Sequence, residues 1–454
     1  MMGNANSNTQ RNFTRPQLSD EQFLNQLSAQ TGIGSNPIKR NLNALLSERE
    51  LGNLSNVGLS TKRRNIVKSG FNQKEKVYLG HRYVPNTLSN KMFKYAFRIF
   101  CGQFSNDGTI FMSATQDRRI RFYNTSDASW QKIKEVVAAD VGWSIIDTDY
   151  SPDKRWLIYS GWSDNVNLCN ITGEYEIHDS LQINKQDTYH FCLFSIKFSP
   201  DSNEILGGSN DSSLYIYDLN RRELTLKIAA HNDDINSVSY AEADNNNTII
   251  SGSDDCLCKI WDRRLLGNGT QQKAVGIFVG HNQGITHVSS KGDGRYFISN
   301  SKDQSIKLWD LRVMRDTEQE KTFAKATYDY RFGLNEGVYR TMTSYKKDPN
   351  DCSLMTYKGS HSVTKTLIRA YLSPLETTGQ KYIYSGSSDG SVVIYDVLTG
   401  ELVETLEGHA SVVRDVSWHP HLPYIVSTSW DGCVNRWDYY EKDDDEKQST
   451  TNNN

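Results

Sequence analysis

The sequence predicts an all-β fold, a seven-bladed β-propeller, from three observations. Seven short strands end in an aromatic or Cys followed by Asp or Asn, each is preceded by a second strand, and an aspartate-bearing turn joins each pair. The closing strands are "IRFYN" (120–124), "VNLCN" (166–170), "LYIYD" (214–218), "CKIWD" (258–262), "IKLWD" (306–310), "VVIYD" (392–396) and "VNRWD" (434–438). Their penultimate residues lie 46, 48, 44, 48, 86 and 42 apart. A unit of that length, with two strands visible and room for two more, is a four-stranded blade.

The preceding strands run from "IFMSAT" in the first unit to "YIVSTS" in the last. Between them, Asp117, Asp211, Asp255, Asp303, Asp389 and Asp431 lie six residues before the closing aromatic, and Asp164 lies five before Cys169. Upstream stand His231, His281, His361 and His409. A buried carboxylate is costly without a partner. We therefore expect each histidine to hold its turn Asp, with a strand Ser or Thr and the Trp completing the set. In the last unit this means His409, Asp431, Trp437 and either Ser427 or Ser429. Histidines recurring in successive units read as scaffold, and no catalytic residue is assigned.

The last unit has no apolar segment left for a fourth strand. "KVYLGH" (76–81) matches the fourth strand plus Gly-His of "ETLEGH" (404–409), so residues 76–80 are expected to close the ring. Closure removes exposed sheet edges. The interval of 86 residues holds a long charged insertion at 313–350, after which "LMTYKGSH" (354–361) reads as a delayed fourth strand. The propeller is therefore assigned to 75–440. Residues 1–74, rich in Asn, Gln and Ser, form a low-complexity extension with helical candidates at 18–32 and 40–54, and 441–454 form a polar, acidic tail.

Lys plus Arg total 51 against 54 Asp plus Glu, a balance that excludes a general polyanion binder. No direct nucleic-acid partner is expected. Seven scattered cysteines without a secretory segment predict reduced thiols in the nucleus or cytoplasm. Cys256 and Cys258 alternate faces on one strand and lack a second ligand pair, so neither metal nor cofactor is expected. No run is long enough to span a membrane.

"WDRR" and "WDLR" place Arg264 and Arg312 at the same register in neighbouring units four and five. Third strands end on the bottom face, so this is a cationic pair able to engage carbonyls or carboxylates bidentately. On the opposite, top face, Trp143 and Trp162 either pack between the irregular first blades or contact a partner. Trp430 and Arg414 read as partner contacts, because Trp and Arg are enriched at binding hot spots.

The recurrence of Gly-His, turn Asp and Trp-Asp over residues 75–440 resembles the WD-repeat family. Trp-Asp-x-Arg, with its turn Asp six residues before the Trp, looks like the docking box of cullin-4 ubiquitin-ligase substrate receptors. It maps onto Asp255, Trp261, Asp262 and Arg264, and onto Asp303, Trp309, Asp310 and Arg312. "FMSATQDRRIRFYN", "VGWSIIDTDYSPD", "TLIRAYLSP" and "VRDVSWHP" are similar to one subfamily, the DDB-and-cullin-associated factor eleven (WD-repeat protein twenty-three) group. The resemblance implies a non-catalytic substrate-recognition subunit. It would bind the ligase adaptor (the large subunit of damage-specific DNA-binding protein), and through it cullin-4 and the RING subunit, presenting proteins for ubiquitination and degradation. The alternative is an adaptor-independent scaffold in a chromatin or RNA-processing assembly.

Overall fold

Among the described residues, antiparallel pairing joins 28 strands into seven four-stranded sheets, six of them built from consecutive strands. The structure is a computed structural model and describes residues 73–127, 129–173, 175–184, 190–266, 273–317 and 350–441. The helical candidates at 18–32 and 40–54, insertion residues 318–349 and tail residues 442–454 lie outside the described residues.

The innermost strands run from Ile99–Phe104 in blade one to Val413–Trp418 in blade seven. Neighbouring inner strands pack together around the ring, except that Val413–Trp418 rests on Tyr382–Gly386, the second strand of blade six. Alternation of Ile, Val, Leu and aromatic residues buries both faces of each sheet. In blade four, Ile249, Ile250, Ile260 and Trp261 are all buried; each such side chain contributes about 1.5–3 kcal/mol. Neighbouring blades meet closely where the second strand carries glycine. A Cβ on Gly252 would sit 2.7 Å from Ile285 Cγ2 and 2.8 Å from Val288 Cγ1 of the next blade.

Closure differs from the expectation. Residues 76–80 are not a strand; they lie in a helix, Gln73–Arg82. The fourth strand of blade seven is Thr87–Lys94, pairing with Cys433–Asp438 so that Leu88 opposes Trp437 and Phe93 opposes Val434. The helix instead docks on blade six. His81 Nε2 lies 2.6 Å from the Thr378 carbonyl, Tyr382 Oη donates to the His81 carbonyl at 3.1 Å, and Gly80 abuts the Thr377 carbonyl. The strand escaped the sequence reading because "TLSNKMFK" alternates poorly. Two register shifts, at Leu88/Asn90 and Lys91/Phe93, reset which side chains face the core.

The insertion departs and returns beside blade four. Arg315 and Ile277 exchange backbone hydrogen bonds of 2.8 and 2.9 Å, and Cys352 N–H donates to the Val279 carbonyl at 3.1 Å. Met355–Lys358 then pairs with Ser305–Asp310 as the delayed fourth strand of blade five. The seven cysteines are free thiols. Among the described residues no cluster of His, Cys, Asp and Glu is placed to hold a metal, and no helix is long and apolar enough to cross a membrane.

Candidate protein-docking faces

Three blades share one buried four-residue network. In blade four His231 Nδ1 lies 2.8 Å from Asp255 Oδ2 and Nε2 lies 2.7 Å from Ser251 Oγ, which also accepts from Trp261 Nε1 at 2.9 Å. Blade five repeats it with His281, Asp303, Ser299 and Trp309 at 2.9, 2.6 and 2.7 Å. Blade seven does so with His409, Asp431, Ser427 and Trp437 at 3.0, 2.8 and 2.7 Å. Ser427, rather than Ser429, is therefore the shared hydroxyl. Burial alone would raise the Asp303 carboxyl; His281 and hydrogen bonds from Ser305 and Asn282 outweigh it and hold it at about 2. Each turn aspartate also accepts backbone N–H groups, so these histidines and carboxylates are saturated internally.

His361 departs from this pattern. Its Nδ1 lies 3.0 Å from Tyr395 Oη, its Nε2 has no partner among the described residues, and Asp389 bonds Ser391 instead. In the three complete networks 22 or 24 residues separate His from Asp. His361 and Asp389 are 28 apart, and the closing residue is Tyr395, which lacks an indole N–H. In blade one Asp117 is met by Thr115 and by Arg121 Nη2 at 2.6 Å.

Blades four and five place their arginines identically. Asp262 and Asp310 each end a third strand and cap a one-turn 3-10 helix, Arg263–Leu265 and Leu311–Val313. The Asp262 carboxylate accepts the Arg264 backbone N–H at 2.9 Å, its Nε at 2.9 Å and its Nη2 at 2.6 Å. Asp310 accepts the same three groups of Arg312 at 3.0, 3.1 and 2.7 Å. The Arg312 guanidinium beside Asp310, with Arg295 assisting, keeps that carboxyl at about 2, and Arg264 lowers that of Asp262. The arginine side chains remain 70% and 64% exposed. One edge of each fork is held, and Nη1 has no partner among the described residues. A ligand would meet guanidinium groups whose rotamers are already fixed, which reduces the entropy lost on binding.

The top face divides the four other candidates. Trp143 is 50% exposed and sits edge-on to Phe100 at 5.2 Å; Trp162 is 38% exposed and edge-on to Phe194 at 5.9 Å. Trp162 borders a cavity of about 530 Å³ with Arg118, Asp140 and Asn165. Arg414 is a correction, because at 2% exposure it is unavailable to a partner. Its guanidinium donates to the Phe100 carbonyl and, at 2.9 Å, to the Ile146 carbonyl, tying blade seven to blades one and two. Trp430 is half-buried; Arg98 covers its ring at 4.7 Å, and its Nε1 is buried without a partner among the described residues. It packs with the interior.

Sequence reasoning missed an ionic plug in the central channel. Arg369, entering blade six, forks between Asp147 of blade two and Asp415 of blade seven, the latter at 3.1 Å. Tyr371 Oη donates to Asp415 at 3.1 Å, and Lys197 of blade three pairs with Asp149 at 2.7 Å. The signal was a charged residue beside the inner strand in "IRAYLSP", "IDTDYSP" and "VRDVSWHP". Nothing in one sequence says that these charges meet.

A profile of the WD domain, G-beta repeat, matches residues 184–218, 222–262, 272–310 and 400–438. The LEC14B homolog of Prunus armeniaca is 41% identical over 354 residues, 75% of this chain and 72% of that protein. The DDB1- and CUL4-associated factor 11 homolog of Caenorhabditis elegans is 36% identical over 384 residues, 79% of this chain and 64% of that protein. The chain belongs to this WD-repeat family. The LEC14B protein of Lithospermum erythrorhizon is 39% identical over 405 residues, 85% of this chain and 82% of its own length. The matched WD repeats end on the third strands of blades three, four, five and seven, and so include every blade with a complete network. The unmatched WD blades, one, two and six, close on Tyr123, Cys169 and Tyr395 instead of Trp.

Proposed function

We propose that this WD-repeat protein is the substrate-recognition subunit of a cullin-4 RING ubiquitin ligase. Its bottom face would hold the ligase adaptor and its top face a protein to be ubiquitinated. The observation that carries the reading is the pair of exposed, carboxylate-braced guanidinium groups, Arg264 and Arg312, at one register of adjacent blades. The name of the nematode relative, which refers to DDB1 and CUL4, supports the same assignment.

The proposed mechanism is proximity. The propeller performs no bond chemistry; its ionisable histidines and aspartates are engaged in holding blades together. It brings a bound protein near a ubiquitin-conjugating enzyme and so replaces a bimolecular encounter with a tethered one. Trp143 and Trp162 on the top face are the substrate contacts in this scheme, and free thiols suit action in the nucleus or cytoplasm.

The second reading is an adaptor-independent scaffold, and it draws on one observation: each arginine already has its own aspartate. Co-purification separates the two. Tagged full-length chain should retain the adaptor, and R264E/R312E should lose it with the melting temperature unchanged. Equal recovery of adaptor by both proteins would favour the scaffold.

A further inference from the structure

Two arginines alone are too small a surface to hold a second protein. A stable interface buries roughly 800 Å² per partner, about 20–30 residues a side. The rim around them offers a continuous apolar run on blades four to six, whereas in blade two the exposed Tyr175 and Ile177 stand apart from the arginines. Two residues past the Asp or Asn that ends each third strand, blades one to three present Ser126, Thr172 and Asn220, all polar. Asn220 is also occupied, donating to Asn203 Oδ1 at 3.0 Å. The same register in blades four to seven reads Arg264, Arg312, Leu398 and Tyr440. Leu398 is 80% exposed, and beside the arginines Leu265 and Val313 are 60% and 46% exposed.

These residues form a continuous strip. Beyond Val313, Met314 lies over Gly276 on the outer strand of blade four, and Arg315 pairs with Ile277 there. The chain leaving Arg312 thus bridges blades four and five. Met355, on the outer strand of blade five, lies against Gly400, where a Cβ would come within 3.4 Å of its sulfur. Gly400 belongs to the turn of blade six that carries Leu398, so the strip continues onto that blade.

We infer that the adaptor-docking surface is this whole seam, an apolar collar around the guanidinium pair that ends on blade six at Leu398. The inference rests on the docking proposed above and adds where the buried area comes from. Its occupant is a face of the adaptor with carboxylates or carbonyls opposite the arginines and apolar side chains around them. A second copy of this chain fits poorly. A twofold contact would set the arginine pair against itself, and like charges in a desolvated centre are repulsive.

The test is titration of full-length chain with purified adaptor, using L398D, L265D/V313D and R264E/R312E. S126D, at the same register of blade one, is the control. All six substituted positions are surface sites, and melting curves check the fold. L398D and L265D/V313D should each weaken binding about tenfold or more, the scale of one buried hot-spot contact, and S126D should bind as wild type. If L398D stays within about twofold of wild type while R264E/R312E is lost, the seam is overturned and the docking reading stands. If R264E/R312E binds as wild type, the docking reading fails and takes the seam with it. A dimer dissolved by L398D with adaptor binding intact would assign the collar to self-association and overturn the inference.

Discussion

Blades four and five and blades one and two follow the same four-stranded plan but use their polar side chains differently. In blades four and five, His, Asp, Ser and Trp saturate one another in the interior, and Asp-x-Arg turns emerge on the bottom rim. In blades one and two, Asp117 turns to Thr115 and Arg121, and Asp164 to Asn184. Of the exposed large side chains there, Phe97, Trp143 and Trp162 are on the top face. Regular interiors hold the ring and repeat a docking element at fixed register; irregular ones leave a less constrained surface at the opposite end.

The strongest way to break the comparison is to remove what both regions depend on. Deleting residues 1–94 removes the outer strand of blade seven and should abolish cooperative unfolding in a thermal melt. Next is the channel plug, which ties the irregular blades to the rest. R369M leaves Asp147 and Asp415 buried without their shared cation and should cost about 3–5 kcal/mol in denaturant titration.

The networks themselves should differ by blade. S299A removes the common partner of His281 and Trp309 and should cost about 1–3 kcal/mol. S113A, at the matching position of blade one, loses only a contact with Tyr95 Oη at 3.2 Å and should cost less than half as much. Acid sharpens the point. An unfolded aspartate titrates near 4, whereas Asp303 titrates at about 2 when folded. Its stabilisation, about 2 kcal/mol, is therefore complete above pH 4 and lost as pH falls to 2. D303N should flatten that part of the stability profile, as followed by thermal melts across pH 2–6. The smallest effect expected on stability is that of W162A, which should leave the melting temperature within about 1 °C while lowering recovery of captured substrate.

Most of the architecture was legible because it repeats. The Trp-Asp ends, the turn aspartates and the His-to-Asp spacing are short-range patterns, and one spacing rule explains both the complete networks and the failure at His361. The closing strand was not legible, because Thr87–Lys94 carries two bulges and alternates weakly, while "KVYLGH" mimics a strand end and folds as a helix. Arg414 looked like a surface hot spot, yet the ring turns it inward against the carbonyls of Phe100 and Ile146. The plug joins Arg369 to Asp415, 46 residues on, and to Asp147, 222 residues back, and only closure of the ring unites all three. The arginine pair was readable as a register, whereas its bracing by Asp262 and Asp310 required the cap geometry.

The most direct measurement is calorimetric titration of purified ligase adaptor into wild-type chain and into R264E/R312E, with melting temperatures taken in parallel. The account predicts saturable binding by the wild type, none measurable for the double variant, and superimposable melts. Equal affinity for both proteins would contradict it.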